Sequence, residues 1–513
     1  MALVQKIIGK RILCPQALLH KDKDVPKPFN QIPGPRSLPI IGSSWKYMPF
    51  LGDWDSSRLH DVGTKRFEQF GGLVREEISP GLNLVHAYRA QDIEKIYKNE
   101  GKYPERLGHL ALMHYRLCRP HLYNSGGLLP TNGIEWWRLR STFQKHIARV
   151  QDARFFLPRG EEIINDFVST TLSNNYTSED FLPLLSRLYL ELMWMFIFGK
   201  RLGSFDEINI SVDSVPSKLM KAAENITHKT MITDSTEKIW KIIKTPSYIK
   251  IEKNFEYIEK IVLNALKVAK AENDKCTTIS DENAKSCLVD KFFQTPEISS
   301  KDVNAMTADL VLGGVDTTAY TTAFLMYNLS RNKEVQAKLY AEAVKLLPSP
   351  NAKITSDILN SAVYARAVLK ESLRLNPVSI GISRFLQQDM VFSGYLVPKG
   401  TLMVTQNLVA CRNEENFKNA LDFIPERWIR DSPAYQEVSP YLVLPFSHGP
   451  RTCIARRLAE QNMLTLLLTI IRKYSISWMG EVLDIETPLT CKPDKAVKLS
   501  FHNWDEKNKN LNH

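Results

Sequence analysis

The chain has 513 residues, 43% of them hydrophobic, which is enough to bury a sizeable core. Its 67 basic against 56 acidic residues give a net charge of +11. With no nucleic-acid motif in the chain, that excess points to an anionic membrane surface or an acidic protein partner. Seven cysteines, odd in number, scattered and without a C-x-x-C pair, argue against a disulfide framework and for a reducing compartment. Length alone would permit several domains, but no Gly/Ser-rich linker, low-complexity run or internal repeat divides the chain, so one large, mostly helical unit is expected over residues 31–503.

From the N-terminus, Lys6, Lys10, Arg11 and Lys21 precede the first acidic residue, Asp22, and Leu3, Val4, Ile7, Ile8 and Ile12 recur at helical spacing. A basic, acid-free, amphipathic start reads as a mitochondrial transit peptide, assigned to residues 1–30. No span approaches the ~20 apolar residues that cross a bilayer. Ile32-Pro-Gly-Pro-Arg36 is a rigid, non-helical hinge, because each proline fixes φ and disfavours helix before it. Residues 72–79 and 82–86 alternate as a strand pair around Pro80-Gly81, and residues 91–99 carry a short helical pattern. His109 and His114, five apart, do not share a helical face and read as structural or surface residues, not a zinc site.

Gly133 opens a helix on which Trp136 and Arg140, four apart, share a face. Helical patterns follow over 181–198 and 255–271, with a looser stretch of mixed composition between 203 and 250. Residues 302–331 form a long helical run interrupted by Gly313-Gly314-Val315-Asp316-Thr317-Thr318. Two adjacent glycines inside a helix cost roughly 1 kcal/mol each against alanine, a cost tolerated where the backbone needs close approach or a local opening. Glu371 and Arg374 stand at i,i+3 on a helix over 364–376; such pairs are ordinarily solvated and contribute a few tenths of a kcal/mol. Arg384 follows on a strand past Pro377, and Arg427 and Trp428 close the stretch Phe423-Ile-Pro-Glu-Arg-Trp. The last ten residues, 504–513, form a polar tail.

Phe446-Ser-His-Gly-Pro-Arg-Thr-Cys453 is a loop that leads into a helical pattern of Ile454, Leu458, Met463, Leu466, Leu467 and Ile470. A thiol just ahead of a helix N-terminus is expected to have a lowered pKa. By itself a loop-held thiolate could be a nucleophile, half a disulfide, a zinc ligand or the axial ligand of a haem iron, and a lone cysteine is most often structural.

The loop resembles the haem-binding signature of the cytochrome P450 family, Phe-x-x-Gly-x-Arg-x-Cys-x-Gly: Phe446, Gly449, Arg451 and Cys453 match, and Ala455 replaces the last glycine. The resemblance extends to the Trp-x-x-x-Arg of Trp136 and Arg140, the (Ala/Gly)-Gly-x-(Asp/Glu)-Thr-(Thr/Ser) of residues 313–318, and the Glu-x-x-Arg of Glu371 and Arg374. It implies a mainly α fold with a small β region, a triangular helical prism around buried haem b. Cys453 would ligate the iron, while Trp136, Arg140, Arg384 and Arg451 would hold the propionates and Phe446 would flank the cofactor. Thr317 would hydrogen-bond dioxygen and Asp316 would link it to a proton source. Glu371, Arg374 and Arg427 would lock the scaffold of the cysteine loop.

Arg366, Lys370, Arg456 and Arg457 resemble the basic positions that mitochondrial members present to an adrenodoxin-type [2Fe–2S] ferredoxin, itself reduced by an NADPH-dependent reductase. Residues 126–137, 367–377 and 453–463 resemble the mitochondrial ecdysteroid 22-hydroxylases of arthropods. This implies oxygen insertion from O2 into a C–H bond of a steroid substrate, an ecdysone precursor, by a protein peripheral to the matrix side of the inner membrane, with no nucleic-acid partner. Hydroxylation of another steroid position or of a xenobiotic, and a haem sensor or carrier without turnover, are the alternatives.

Overall fold

The computed structural model describes residues 25–172, 175–235, 238–276, 287–349 and 351–504. The expected leader up to residue 24 and the tail after Trp504 lie outside them. Residues 32–36 form neither helix nor strand, as the prolines imply, and α1 (Leu59–Phe70) follows. The strand pair forms as β1 (Leu73–Ser79) and β2 (Leu82–Ala87), antiparallel with Leu73 opposite Ala87. Gly81 makes the turn at φ 84°, a conformation that favours glycine. Next come α2 (Ala90–Lys98), α3 (Leu110–Leu117), α4 (Gly133–Ile147), α5 (Val150–Thr171), β3 (Thr177–Ser178) and α6 (Leu182–Phe198).

The stretch 203–250 is more ordered than its composition implies. It holds α7 (Val215–Ser235) and the start of α8 (Pro246–Cys276). The α7 sequence mixes Thr, Asn and His with few aliphatics, so its helical face is hard to read. It is held by packing along α8, with Leu219, Ala222 and Ile226 buried. Short α9 (Leu288–Phe293) leads to α10 (Ser300–Gly314) and α11 (Asp316–Arg331), separated only by Val315. Then follow α12 (Lys333–Leu346), α13 (Ser356–Ser361) and α14 (Val363–Leu375).

Four strands, β4 (Ser383–Phe385), β5 (Met390–Phe392), β6 (Tyr395–Val397) and β7 (Leu402–Thr405), precede α15 (Asn407–Cys411) and α16 (Arg456–Lys473); β8 (Tyr474–Trp478), β9 (Ile485–Glu486), β10 (Lys492–Pro493) and β11 (Leu499–Asn503) close the described chain. The main sheet has the order β1-β2-β7-β4, with β2 and β7 parallel and Arg384 opposite Met403. Smaller sheets are β3-β11-β8, β9-β10 and the hairpin β5-β6.

The largest apolar cluster joins α4, α5, α6, α10, α11, α14 and α16. Helix α11 is buried from Thr318 to Ser330, and α16 buries Leu466, Leu467, Leu468, Ile470 and Ile471 completely. A helix buried on all sides belongs at the centre of a large fold, and these two bracket the cysteine loop and the double glycine. No described helix is long and apolar enough to cross a membrane.

Candidate active site

The site begins with the break at Val315. Helix α10 ends at Gly314 and α11 restarts at Asp316, as the double glycine suggests. The two glycines serve different ends. A Cβ on Gly314 would meet the Met193 side chain of α6 at 2.1 Å, whereas one on Gly313 would meet nothing within 4 Å. The first permits close packing; the second leaves open space. Two hydroxyls cover carbonyls at the break: Thr317 Oγ1 donates to Gly313 O at 2.8 Å and Thr318 Oγ1 to Gly314 O at 3.1 Å.

Facing the break is the cysteine loop. Gly449 has φ 71°, and a Cβ there would meet Glu100 Oε1 at 1.8 Å, so both backbone and space demand glycine. Cys453 N donates to Phe446 O at 2.9 Å, closing the loop. Ala455 has φ −98°, an ordinary conformation, so alanine in place of the signature's glycine strains nothing. Between loop and break lies a cavity of about 350 Å³. Cys453, Phe446, Arg451, Trp136 and Arg140 line one part of it, and Gly313, Gly314 and Thr317 another. The apolar remainder includes Leu128, Leu192, Met306 and Leu310.

Positive charge is concentrated at one end of the cavity. Arg451 packs 4.0 Å over the Trp136 ring, donates Nε to Pro104 O at 2.9 Å and Nη2 to Asn132 Oδ1 at 2.6 Å, and keeps Nη1 buried without a partner. Arg140 and Arg106 join it on the wall. Burial, reinforced by the neighbouring guanidiniums, lowers Arg451 to about 8 and Arg106 to about 10, and burial also lowers Arg140. Buried cations depressed in this way call for an anion. A ligand with two carboxylates meets that demand while its flat apolar body fills the space beside Cys453, so these residues fit haem. Arg384 is not among the residues lining the cavity, but it touches one of them: it pairs with Glu100 at 2.5 Å and donates to Ser447 Oγ at 3.3 Å. Arg106 has no periodicity or motif around it, and only the fold reveals it.

The thiol itself departs from expectation. Cys453 is open to the cavity, yet desolvation by the protein atoms around it pushes its pKa up, and the Ala455 N–H and the Arg140 charge only partly oppose this. Helix α16 starts at Arg456, three residues on, so few backbone N–H groups reach the sulfur. A metal would favour its thiolate regardless.

Asp316 is buried but is not on the cavity wall, and its Oδ2 has no partner. Burial, then the Glu224 carboxylate, raises it to about 7, with Lys492 opposing. The raised value means that folding favours the protonated acid, so stability falls as pH climbs from the ordinary 3.8 towards 7, and the deficit persists above. Asp316→Asn is therefore expected to melt higher than the parent at pH 8 and equally near pH 4, as thermal unfolding across pH would show.

Glu371 is fully buried and accepts from Arg374 Nε at 2.9 Å and Nη2 at 2.8 Å, Arg427 Nε at 2.8 Å, Trp428 Nε1 at 2.9 Å and Ile424 N at 3.0 Å. Arg374 in turn donates to the carbonyls of Cys411, Ala420 and Asp422. On the adjoining surface, Lys370 sits 4.0 Å over the Trp428 ring, and both burial and nearby Arg456 lower its pKa. Arg456 pairs with Glu460 at 3.0 Å, Arg457 donates to Ala148 O, and Arg366 to Leu359 O and Asn360 O. All four keep much of their surface in solvent, although the Lys370 ammonium is partly shielded where it lies over Trp428.

The sequence profile of the cytochrome P450 family matches residues 32–501. The chain therefore belongs to the cytochrome P450 family, and it is a haem monooxygenase with haem b as cofactor. Among its relatives, the mitochondrial cytochrome P450 302a1 of Drosophila melanogaster is 42% identical over 479 residues, 93% of this chain and 95% of its own length. The probable mitochondrial cytochrome P450 301a1 of the same fly is 30% identical, spanning 92% of this chain and 87% of its own. The fly's ecdysone 20-monooxygenase is 26% identical, spanning 91% and 88%.

Proposed function

We propose that the chain is a mitochondrial, ferredoxin-dependent monooxygenase that hydroxylates an ecdysone precursor at side-chain carbon 22. The observation that carries the reaction class is the single cavity shared by Cys453, the buried guanidiniums and the opened turn at Gly313–Thr317. Haem ligated by thiolate supplies the oxygen chemistry when bound. Arg451, Trp136 and Arg140 would hold and orient it, the Cys453 loop would present sulfur to it, Thr317 would turn its hydroxyl from Gly313 O into the cavity, and Asp316 would keep a proton in reserve. Glu371, Arg374 and Arg427 act as scaffold. Arg384 acts at one remove, through Ser447 and Glu100.

The apolar wall of Leu128, Leu192, Met306 and Leu310 suits a steroid, and the relatives named as mitochondrial and as an ecdysone monooxygenase support substrate class and compartment. Lys370, Arg456, Arg366 and Arg457 receive the acidic ferredoxin, with residues 1–30 the leader and 31–503 one working unit at the matrix face of the inner membrane. Incubating the purified protein with an adrenodoxin-type ferredoxin, its NADPH-dependent reductase and a panel of ecdysteroid precursors tests this. The expected product carries a new 22-hydroxyl. Hydroxylation only at another position would leave the class and remove the steroid regiochemistry. Thr317→Ala is expected to bind haem and substrate normally while about tenfold less of the NADPH consumed yields product; unchanged coupling would favour a different proton route.

A further inference from the structure

Beside the cationic end of the cavity lies a buried carboxylate whose hydrogen bonds do not account for its presence. Glu100 follows α2, and its side chain is 3% exposed. Oε2 accepts from Arg384 Nε at 2.5 Å, while Oε1 is buried with no hydrogen-bond partner. That free oxygen lies against the cysteine loop, where a Cβ on Gly449 would come within 1.8 Å of it. Arg384, from β4, donates Nη1 to Ser383 O at 2.9 Å and Nη2 to Ser447 Oγ at 3.3 Å. Ser447 (φ 66°) and Gly449 (φ 71°) are both left-handed, and a serine rarely holds that conformation without support. The ion pair therefore braces both unusual residues of the turn that leads to Cys453, one through each partner.

Charge makes the pair more than a brace. Arg106, Arg140 and Arg451 stand on the cavity wall, and Arg384 adds a fourth guanidinium close by. Arg384 is among the charges that lower both Arg451 and Arg106, and Glu100 opposes them at Arg451. Burial raises Glu100 itself, with the Arg384, His448 and Arg451 charges holding it down. A buried carboxylate that leaves one oxygen unbonded acts chiefly by its charge. We propose that Glu100 is a positioning residue for the haem site: by cancelling the Arg384 charge and holding the turn at Gly449, it sets the reduction potential of iron bound at Cys453. The proposal deepens the indirect role given to Arg384 above. Haem brings two carboxylates to three wall guanidiniums, and Glu100 has already neutralised the fourth. A negative charge there disfavours an added electron and keeps the ferric state. The step it governs is the entry of one electron from the reduced partner, in which no bond forms or breaks.

Potentiometric titration of the purified, haem-loaded protein, followed by its absorption spectrum without substrate or turnover, tests this. Glu100→Gln keeps the shape and removes the charge. At a fixed applied potential its ferrous-to-ferric ratio is expected to rise about tenfold, a shift of about 59 mV upward for one electron. Arg384→Gln removes the opposite charge and should lower the ratio by a similar factor. The double variant, neutral at both positions, should return to within about twofold of the parent. A pair that served structure alone would show no such compensation. A Glu100→Gln ratio within about twofold of the parent overturns the proposal, as does a double variant no nearer the parent than either single one. A shift in Glu100→Gln with none in Arg384→Gln would remove the indirect role of Arg384 and leave that of Glu100 standing. Should Glu100→Gln fail to retain haem, Glu100→Asp keeps the charge: haem held at the parental potential supports the proposal, and haem lost again overturns it.

Discussion

Glu371→Ala is expected to abolish recovery of folded protein at physiological temperature. Its carboxylate takes five donated hydrogen bonds, three from guanidinium nitrogens, with no access to solvent. Alanine leaves Arg374 and Arg427 buried and uncompensated, which costs about 3–5 kcal/mol. Domains have only about 5–15 kcal/mol to lose. The damage would spread, because Arg374 also anchors the carbonyls of Cys411, Ala420 and Asp422 and so sets the path of the chain towards the 3-10 turn Pro425–Trp428. Denaturant unfolding of Glu371→Gln, which keeps the shape and loses the charge, measures the effect if the alanine variant does not accumulate. A loss below about 1 kcal/mol, the worth of an exposed pair, would contradict the role.

Cys453→Ser should have the opposite profile, an intact fold with no function. Serine is nearly isosteric, and what closes the loop is backbone: Cys453 N to Phe446 O and Thr452 N to Gly449 O. The surrounding Arg451–Trp136 packing does not involve the sulfur. Thermal unfolding of the apoprotein should therefore match the parent within about 0.5 kcal/mol, while hydroxylation falls to background, because a serine oxygen does not donate electron density to iron as thiolate does. Hydroxylation at an appreciable fraction of the parental rate would break the link between Cys453 and the chemistry.

Much of this was legible before folding. The cysteine loop, the double glycine and the Trp136–Arg140 spacing are local patterns, and the structure brings all three to one cavity. What escaped is non-local. Arg106 gains meaning only when the segment after α2 meets the start of α4, where its N–H binds Asn132. Glu100, which occupies Arg384, is remote from it in sequence, so the arginine's salt bridge could not be read from spacing. The Glu371–Arg374 pair has the spacing of an ordinary surface pair, and only burial converts it into a keystone. Helix α7 hid because its buried face is thin and its polar residues are used: His228 on Lys492, and Asp234 capping the α3 N-terminus through His109 N and Leu110 N. The thiol pKa went the other way because desolvation outweighed a helix start placed three residues too late.

The break at Val315 also shows how one short sequence divides labour. Thr317 turns to the cavity and Asp316 to the Glu224 and Lys492 charges, so acid and hydroxyl are adjacent in sequence and separated in space.

The absorption spectrum of the reduced, carbon-monoxide-bound protein tests the central claim most directly. Cys453 ligating haem iron predicts the red-shifted Soret band of thiolate ligation, lost in Cys453→Ser. A band of the kind that histidine ligation gives, or the same thiolate band in the serine variant, would contradict it.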